Sequence, residues 1–211
     1  YNKLVVAVDL TKDFGDYLNL LSSKQVQFYY GYSTEQLSLL AGIFPRTEMR
    51  GLQSDIFFDR AHRFNHNLLS GVLARKESKS GASFVEFAMD YNGKRTFETR
   101  EAFEIMSAAR YAERSLYVGY DLLMGHYAKD YNGATRDGVV DNIILTPYLG
   151  YGVGIGSVKL DFGVKYIQAL QRDRINENRW ESPRGVQGCV SLEYRGAKVE
   201  NMTYFGDALY T

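Results

Sequence analysis

Two histidine-centred groups in this sequence have the residue types that metal binding or bond-breaking chemistry requires. His62 and His66 stand four apart, with Asp55 and Asp59 upstream. Such spacing puts both rings on one face if the segment is helical, and a divalent metal can bind there. The glutamate that metalloproteases place after the first histidine is absent, since His62 is followed by Arg63-Phe64-Asn65. Arg46 to Asn65 is therefore expected to be a solvated surface loop with no metal. His126, with Asp130 and Asp141, has the acid–base groups of a hydrolase. A nucleophile, a base and an orienting group must meet within hydrogen-bond distance, and no motif here assembles them. The expectation is a histidine near a strand end with no catalytic role, in a protein that is not an enzyme.

A larger set of charges falls in the polar register of alternating segments: Glu86, Asp90, Asp121, Lys159, Asp161, Lys165, Glu193 and Arg195. If they share an interior, they either line a wet passage and set its selectivity or pair across it as a polar plug. Pairing is the expectation. Gly150, Gly152, Gly154, Gly156 and Gly163 lack the strand-to-helix junction of a phosphate cradle, and read as positions that relieve crowding or bend a sheet. Arg172, Arg174, Arg179 and Trp180 form a basic, aromatic loop, read as solvated, with contact to phosphate groups or a partner protein as the alternative. Cys189 is the single cysteine, so no internal disulfide is possible, and it reads as a small packed thiol.

The elements that must position these groups are strands. From Asn142 to Gln168 the chain alternates Ile143, Leu145, Pro147, Leu149, Tyr151 and Val153 against Ile144, Thr146, Tyr148 and three glycines. After Gly156 the alternation resumes as Val158, Leu160, Phe162, Val164 and Tyr166 against Lys159, Asp161, Gly163 and Lys165. This period of two predicts a long hairpin with a minimal turn. Each arm is about twice the usual 5–6 residues of a soluble strand, and a tilted strand crossing a bilayer needs about 9–11. Other predicted strands are Leu4–Lys12, Gln25–Tyr32, Gln36–Phe44, Leu68–Arg75, Ala82–Tyr91, Leu116–Ala128, Val186–Tyr194 and Lys198–Phe205. Lys94–Arg110 is taken as a strand despite a helix-like Arg100–Met106. Asn92-Gly93 is the strongest tight-hairpin signal.

The 25 basic and 25 acidic residues balance, which argues against a nucleic-acid partner. No apolar run approaches the length of a membrane helix, whereas alternating strands give ordinary hydropathy even in a membrane barrel. The 17 tyrosines and 20 glycines suit a barrel wall with aromatic girdles. Laid end to end, about eleven strands alternate short and long connections.

Val26–Phe44, Phe84–Tyr91, Leu116–Ala128 and Val139–Gln168, with Val140-Asp141-Asn142 and Pro147-Tyr148-Leu149-Gly150, resemble a Gram-negative outer-membrane β-barrel over essentially the whole chain. The resemblance is one of architecture and names no particular porin, transporter or enzyme. It implies an all-β, up-and-down antiparallel transmembrane β-barrel of about twelve strands, with short turns on one side and long loops on the other. One barrel domain over 1–211 is expected, incomplete at its C-terminus, because the end at Thr211 departs from the aromatic ending common among such barrels. The implied function is a small-solute channel or a structural subunit of an outer-membrane complex. Outer-membrane lipid, lipopolysaccharide and other outer-membrane proteins are the implied partners, with no cofactor. The alternatives are a barrel-embedded hydrolase using His126, or a soluble β-sandwich or lipocalin-like binding protein.

Overall fold

The computed structural model describes residues 1–12, 15, 17–58, 60–94, 96, 100–128, 139–174 and 178–208. The period-two segments form one antiparallel sheet: β1 (Asn2–Thr11), β2 (Ser23–Ser33), β3 (Leu37–Pro45), β4 (Leu68–Glu77), β5 (Phe84–Gly93), β6 (Ala102–Glu113), β7 (Leu116–Tyr127), β8 (Val140–Ile155), β9 (Val158–Asp173), the two-residue β10 (Trp180–Glu181), β11 (Arg184–Tyr194) and β12 (Ala197–Gly206). Spatial order follows chain order from β1 to β12, except that β10 pairs with β9 beside this path. The sheet's edges are β1 and β12. The expected all-β, up-and-down architecture of about twelve strands is what the chain adopts. No helix among the described residues is long and apolar enough to cross a membrane.

Short and long connections alternate throughout. β2–β3, β4–β5, β6–β7, β8–β9 and β11–β12 are joined by short turns, and the intervening connections are longer. In an antiparallel meander this collects every short turn at one end of the sheet and every long connection at the other. The β8–β9 turn is minimal, as expected: Ile155 pairs with Val158, and Gly156 takes a φ of 61°.

Asn92-Gly93 does not make the tight hairpin its sequence predicts. β5 runs through it, with a register shift between Tyr91 and Gly93, and β6 starts only at Ala102. Gly93 serves close approach instead, since a Cβ there would lie 2.6 Å from the Arg100 carbonyl oxygen.

Register separates two faces. On the outer face lie Leu4, Val6 and Val8 of β1, Phe28 of β2, Val85 and Phe87 of β5, Val118 of β7, Leu149 of β8, Phe162 and Val164 of β9 and Val190 of β11, all exposed. The inner face carries Leu40, Phe44, Leu69, Leu73, Ala88, Met106, Leu123, Ile144 and Ile167, all buried.

The β3–β4 connection covers that inner face. It was expected to be a solvated loop, but Met49, Gly51, Leu52, Ser54, Phe57 and Phe58 are buried in it. The physical reason is apolar content: Met49, Leu52, Phe57 and Phe58 join the core with Tyr29, Phe44 and Leu73, which would otherwise face water. A 3-10 turn at Arg46–Glu48 and the short helix α1 (Arg60–Asn65) give this inward segment its shape. Its base is closed by Arg46 N–H donating to the Asn67 carbonyl at 2.7 Å. The sheet curls round it, since Lys3 on β1 and Asp121 on β7 both reach it.

Candidate functional site

Four acidic side chains on three neighbouring strands point to the inner face: Glu86 and Asp90 on β5, Glu104 on β6 and Asp121 on β7, all buried. Carboxylates so placed repel one another and lose hydration unless donors and cations reach them. The inward segment supplies most of these. Arg46 Nη2 lies 2.9 Å from Asp90 and Nη1 lies 3.7 Å from Glu104, with the guanidinium 4.4 Å from the Phe58 ring centre. Glu86 accepts from the backbone N–H groups of Arg50 and Gly51 at 3.1 Å each, and from Arg75 of β4 at 3.1 Å. Asp121 accepts from Leu52 N–H at 2.9 Å.

The segment also spans the sheet from end to end. Arg46 pairs with Asp90 towards the long-connection end. Arg50 donates to Gly81, in the β4–β5 turn, at 2.8 Å, and Arg75 Nη1 donates to the Glu48 carbonyl at 2.6 Å. Among these interior acids Asp90 pairs with a cation of the folded-in connection and Glu86 with Arg75 of the neighbouring strand, while Asp121 is held by a backbone N–H; none of these partners comes from the opposite wall. Leu52 holds a φ of 57°, a left-handed conformation unusual for a leucine, fixed by its bond to Asp121 and its burial.

Beside the segment, the inner face from β6 to β12 keeps an open polar cavity of about 560 Å³. Tyr117 and Tyr148, side by side on β7 and β8, form its wall with ring centres 6.2 Å apart. Each ring lies over a glycine of the other strand: a Cβ at Gly150 would meet Tyr117 at 2.1 Å, and one at Gly119 would meet the Tyr148 hydroxyl at 2.5 Å. Gly150 therefore does relieve crowding. Arg110 sits 4.0 Å from the Tyr117 ring centre and Lys165 lies 5.7 Å from that of Tyr148. Tyr117 donates to Asp161 at 2.7 Å. Cys189 lines the same cavity, half-buried.

Other candidates are placed away from this centre. Lys159 and Glu193 pair with each other at 2.8 Å near the short-turn end. Arg195 does not lie on a strand face: it occupies the β11–β12 turn with a φ of 47°, its guanidinium 5.2 Å from the Tyr194 ring centre. The register forces this, because the two strands pair up to Tyr194 and Ala197.

His62 and His66 stack at 4.8 Å, but Phe58 occupies the other face of the His62 ring at 4.9 Å. Among the described residues no group of three or more His, Cys, Asp or Glu side chains can hold a metal ion. Asp59 and Asp130 lie outside the described residues. His126 Nδ1 lies 2.8 Å from Asp141, whose other oxygen accepts from Arg174 at 2.7 Å. His126 and the buried Asp141 hold outer register at the long-connection end, Arg174 follows the end of β9, and Phe103 lies 5.0 Å from the imidazole.

Arg172 belongs to β9 and not to a loop, because β9 extends to Asp173. It pairs with Trp180 of β10, 5.5 Å from its ring centre. Arg179 is exposed in the connection just before β10.

No protein-family model matches the chain, and no curated protein does. The geometry alone therefore decides which residues matter. Arg46, Arg75, Arg110, Glu104, Tyr117 and Tyr148 are absent from the sequence-derived candidates. Arg46 carried a usable signal: the inner acids of β5 to β7 outnumber the cations on their own strands, so a cation had to come from elsewhere.

Proposed function

We propose that this chain forms most of an outer-membrane β-barrel whose interior admits small solutes past an inward-folded constriction, residues 46–67, without catalysis. One observation carries the reading. Outside the two-residue β10, the charged side chains in outer register are Lys24, Lys76, Glu113, Asp141, Arg172 and Arg184, each in the first or last two residues of its strand. Between them runs a charge-free, largely apolar band, interrupted by Ser70, Ser107, Asn201 and Thr203, the solution to a Lys or Arg penalty of about 2–4 kcal/mol at a bilayer midplane. Soluble monomers rarely expose a contiguous apolar patch beyond about 300–600 Å².

Aromatic side chains rim the band at both ends. Tyr30, Tyr32, Tyr111, Tyr151 and Tyr194 lie towards the short-turn end, and Tyr91, Phe103, Tyr166 and Phe205 towards the other. Amphipathic rings favour the headgroup level. A soluble sandwich would turn this face inward, which disfavours that alternative.

Because the long strands alternate in direction and number eleven, β1 and β12 run the same way. All-antiparallel closure then takes one further strand, or another odd number, between these edges. β12 is exposed on both faces, as the neighbour of an uncovered edge would be. Arg172, Arg179 and Trp180, at the long-connection end, offer contacts for lipopolysaccharide phosphate.

Conductance of the purified full-length protein in planar bilayers tests the pore. Small, discrete openings support it. Folded, heat-modifiable protein that never conducts removes the pore and leaves the structural-subunit role.

A further inference from the structure

The cavity beside the constriction is lined by four carboxylates and four cations whose hydrogen bonding is uneven. Its four carboxylates are each engaged: Asp55 by Arg63 at 3.4 Å, Asp121 by Leu52 N–H, Asp161 by the Tyr117 hydroxyl and Glu200 by Lys198 at 2.7 Å. Two of its four cations are engaged as well, Arg63 by Asp55 and Arg50 by Glu77 at 2.9 Å. Arg110 and Lys165 are different. Among the described residues neither makes an ion pair or a hydrogen bond, and each rests against a tyrosine ring. The Arg110 Nε–H is buried with no acceptor in reach.

A buried guanidinium N–H without an acceptor is unusual in a folded protein, and an oxyanion is the group that would satisfy it. The ring stacking holds Arg110 in place. Lys165, on the other side of the Tyr117–Tyr148 pair, adds a second positive charge. We propose that this cavity binds the oxyanion of a small solute, a carboxylate, phosphate or sulfonate, at Arg110, with Lys165 adding positive charge from across the tyrosine pair. The proposal rests on the reading of the inner face as a solvent-filled lumen and names the chemical class of solute it would favour.

Cys189 makes the test direct, because the single thiol of the chain lines the same cavity. The full-length protein in detergent is treated with anionic 2-sulfonatoethyl methanethiosulfonate, with its cationic trimethylammonioethyl counterpart and with a neutral methyl reagent. Rates are divided by those of the unfolded protein to remove intrinsic reactivity. The anionic reagent should react faster than the cationic one by about tenfold, the low end of charge focusing in a cleft. Inorganic phosphate should slow it more than chloride at equal ionic strength. Arg110→Gln and Lys165→Gln should each collapse the ratio, while Lys76→Gln on the outer face leaves it unchanged; a retained heat-dependent gel shift shows that each variant is folded. A ratio near one, or one indifferent to Arg110→Gln and Lys165→Gln, overturns the anion site and leaves the lumen standing. A thiol that no reagent reaches until the protein is unfolded overturns the lumen, and the anion site with it.

Discussion

Arg46 and Asp90, separated by 44 residues in sequence, meet at 2.9 Å on the buried inner face, and this contact pins the inward segment to the β5 wall. Arg46→Met would strand Asp90 and Glu104 without their cation. Breaking a buried pair from one side costs about 3–5 kcal/mol. The expected result is a lower urea midpoint in detergent, with larger or more frequent bilayer openings as the segment loosens. Asp90→Asn in the Arg46→Met background should recover part of the loss, because one stranded charge is removed.

Gly51 packs tightly against the wall. A Cβ there would stand 2.1 Å from the Ala108 Cβ on β6. Gly51→Ala should therefore cost about 1–3 kcal/mol of stability by overpacking. Ala108→Gly in the same chain should restore most of it, and denaturant titration of the single and double variants measures that coupling.

On the outer face Leu122, midway along that face of β7, sits between Ser107 and Leu145 in a charge-free neighbourhood. Leu122→Arg should destabilise the folded protein in lipid by about 2–4 kcal/mol. A protein that is soluble with this face in water would tolerate the same change within about 0.5 kcal/mol. Equilibrium unfolding from phospholipid vesicles separates the two.

His126 has an orienting carboxylate, yet its ring stacks on Phe103 on the outer face. His126→Ala should leave the protein's behaviour towards ester and peptide substrates identical to wild type. A hydrolytic activity that disappears in this variant would reinstate the hydrolase.

Much of this fold was legible because period two is a local property. The outer faces of β1, β2, β5, β7, β8 and β9 could be read from alternation alone, as could the Gly156 turn. Less local features were hidden. The Asn92-Gly93 turn signal lost to a ladder that continues to Ala102. The inward course of residues 46–67 has no periodicity, so Met49, Leu52, Phe57 and Phe58 looked like scattered apolar residues in a loop. The inward acids Glu86, Asp90 and Asp121 fall on one face, but their partners in the inward segment lie 36 to 69 residues away in sequence and no spacing rule links them. The tyrosine–glycine interlock of Tyr117 with Gly150 depends on β7–β8 register, which the sequence of either strand leaves open.

The central claim is that the apolar outer band faces lipid, and cysteine accessibility tests it most directly. In a Cys189→Ala background, single cysteines replace Val6, Val118, Val164 and Val190 on the outer face, with Glu113 at the short-turn end as the reference. Outer-membrane vesicles carrying each variant are treated with a water-soluble maleimide and with a lipid-soluble one. The account predicts that the four band positions react with the lipid-soluble reagent alone, while position 113 reacts with both. Rapid labelling of the band positions by the water-soluble maleimide, or recovery of the protein in buffer without detergent, would contradict it.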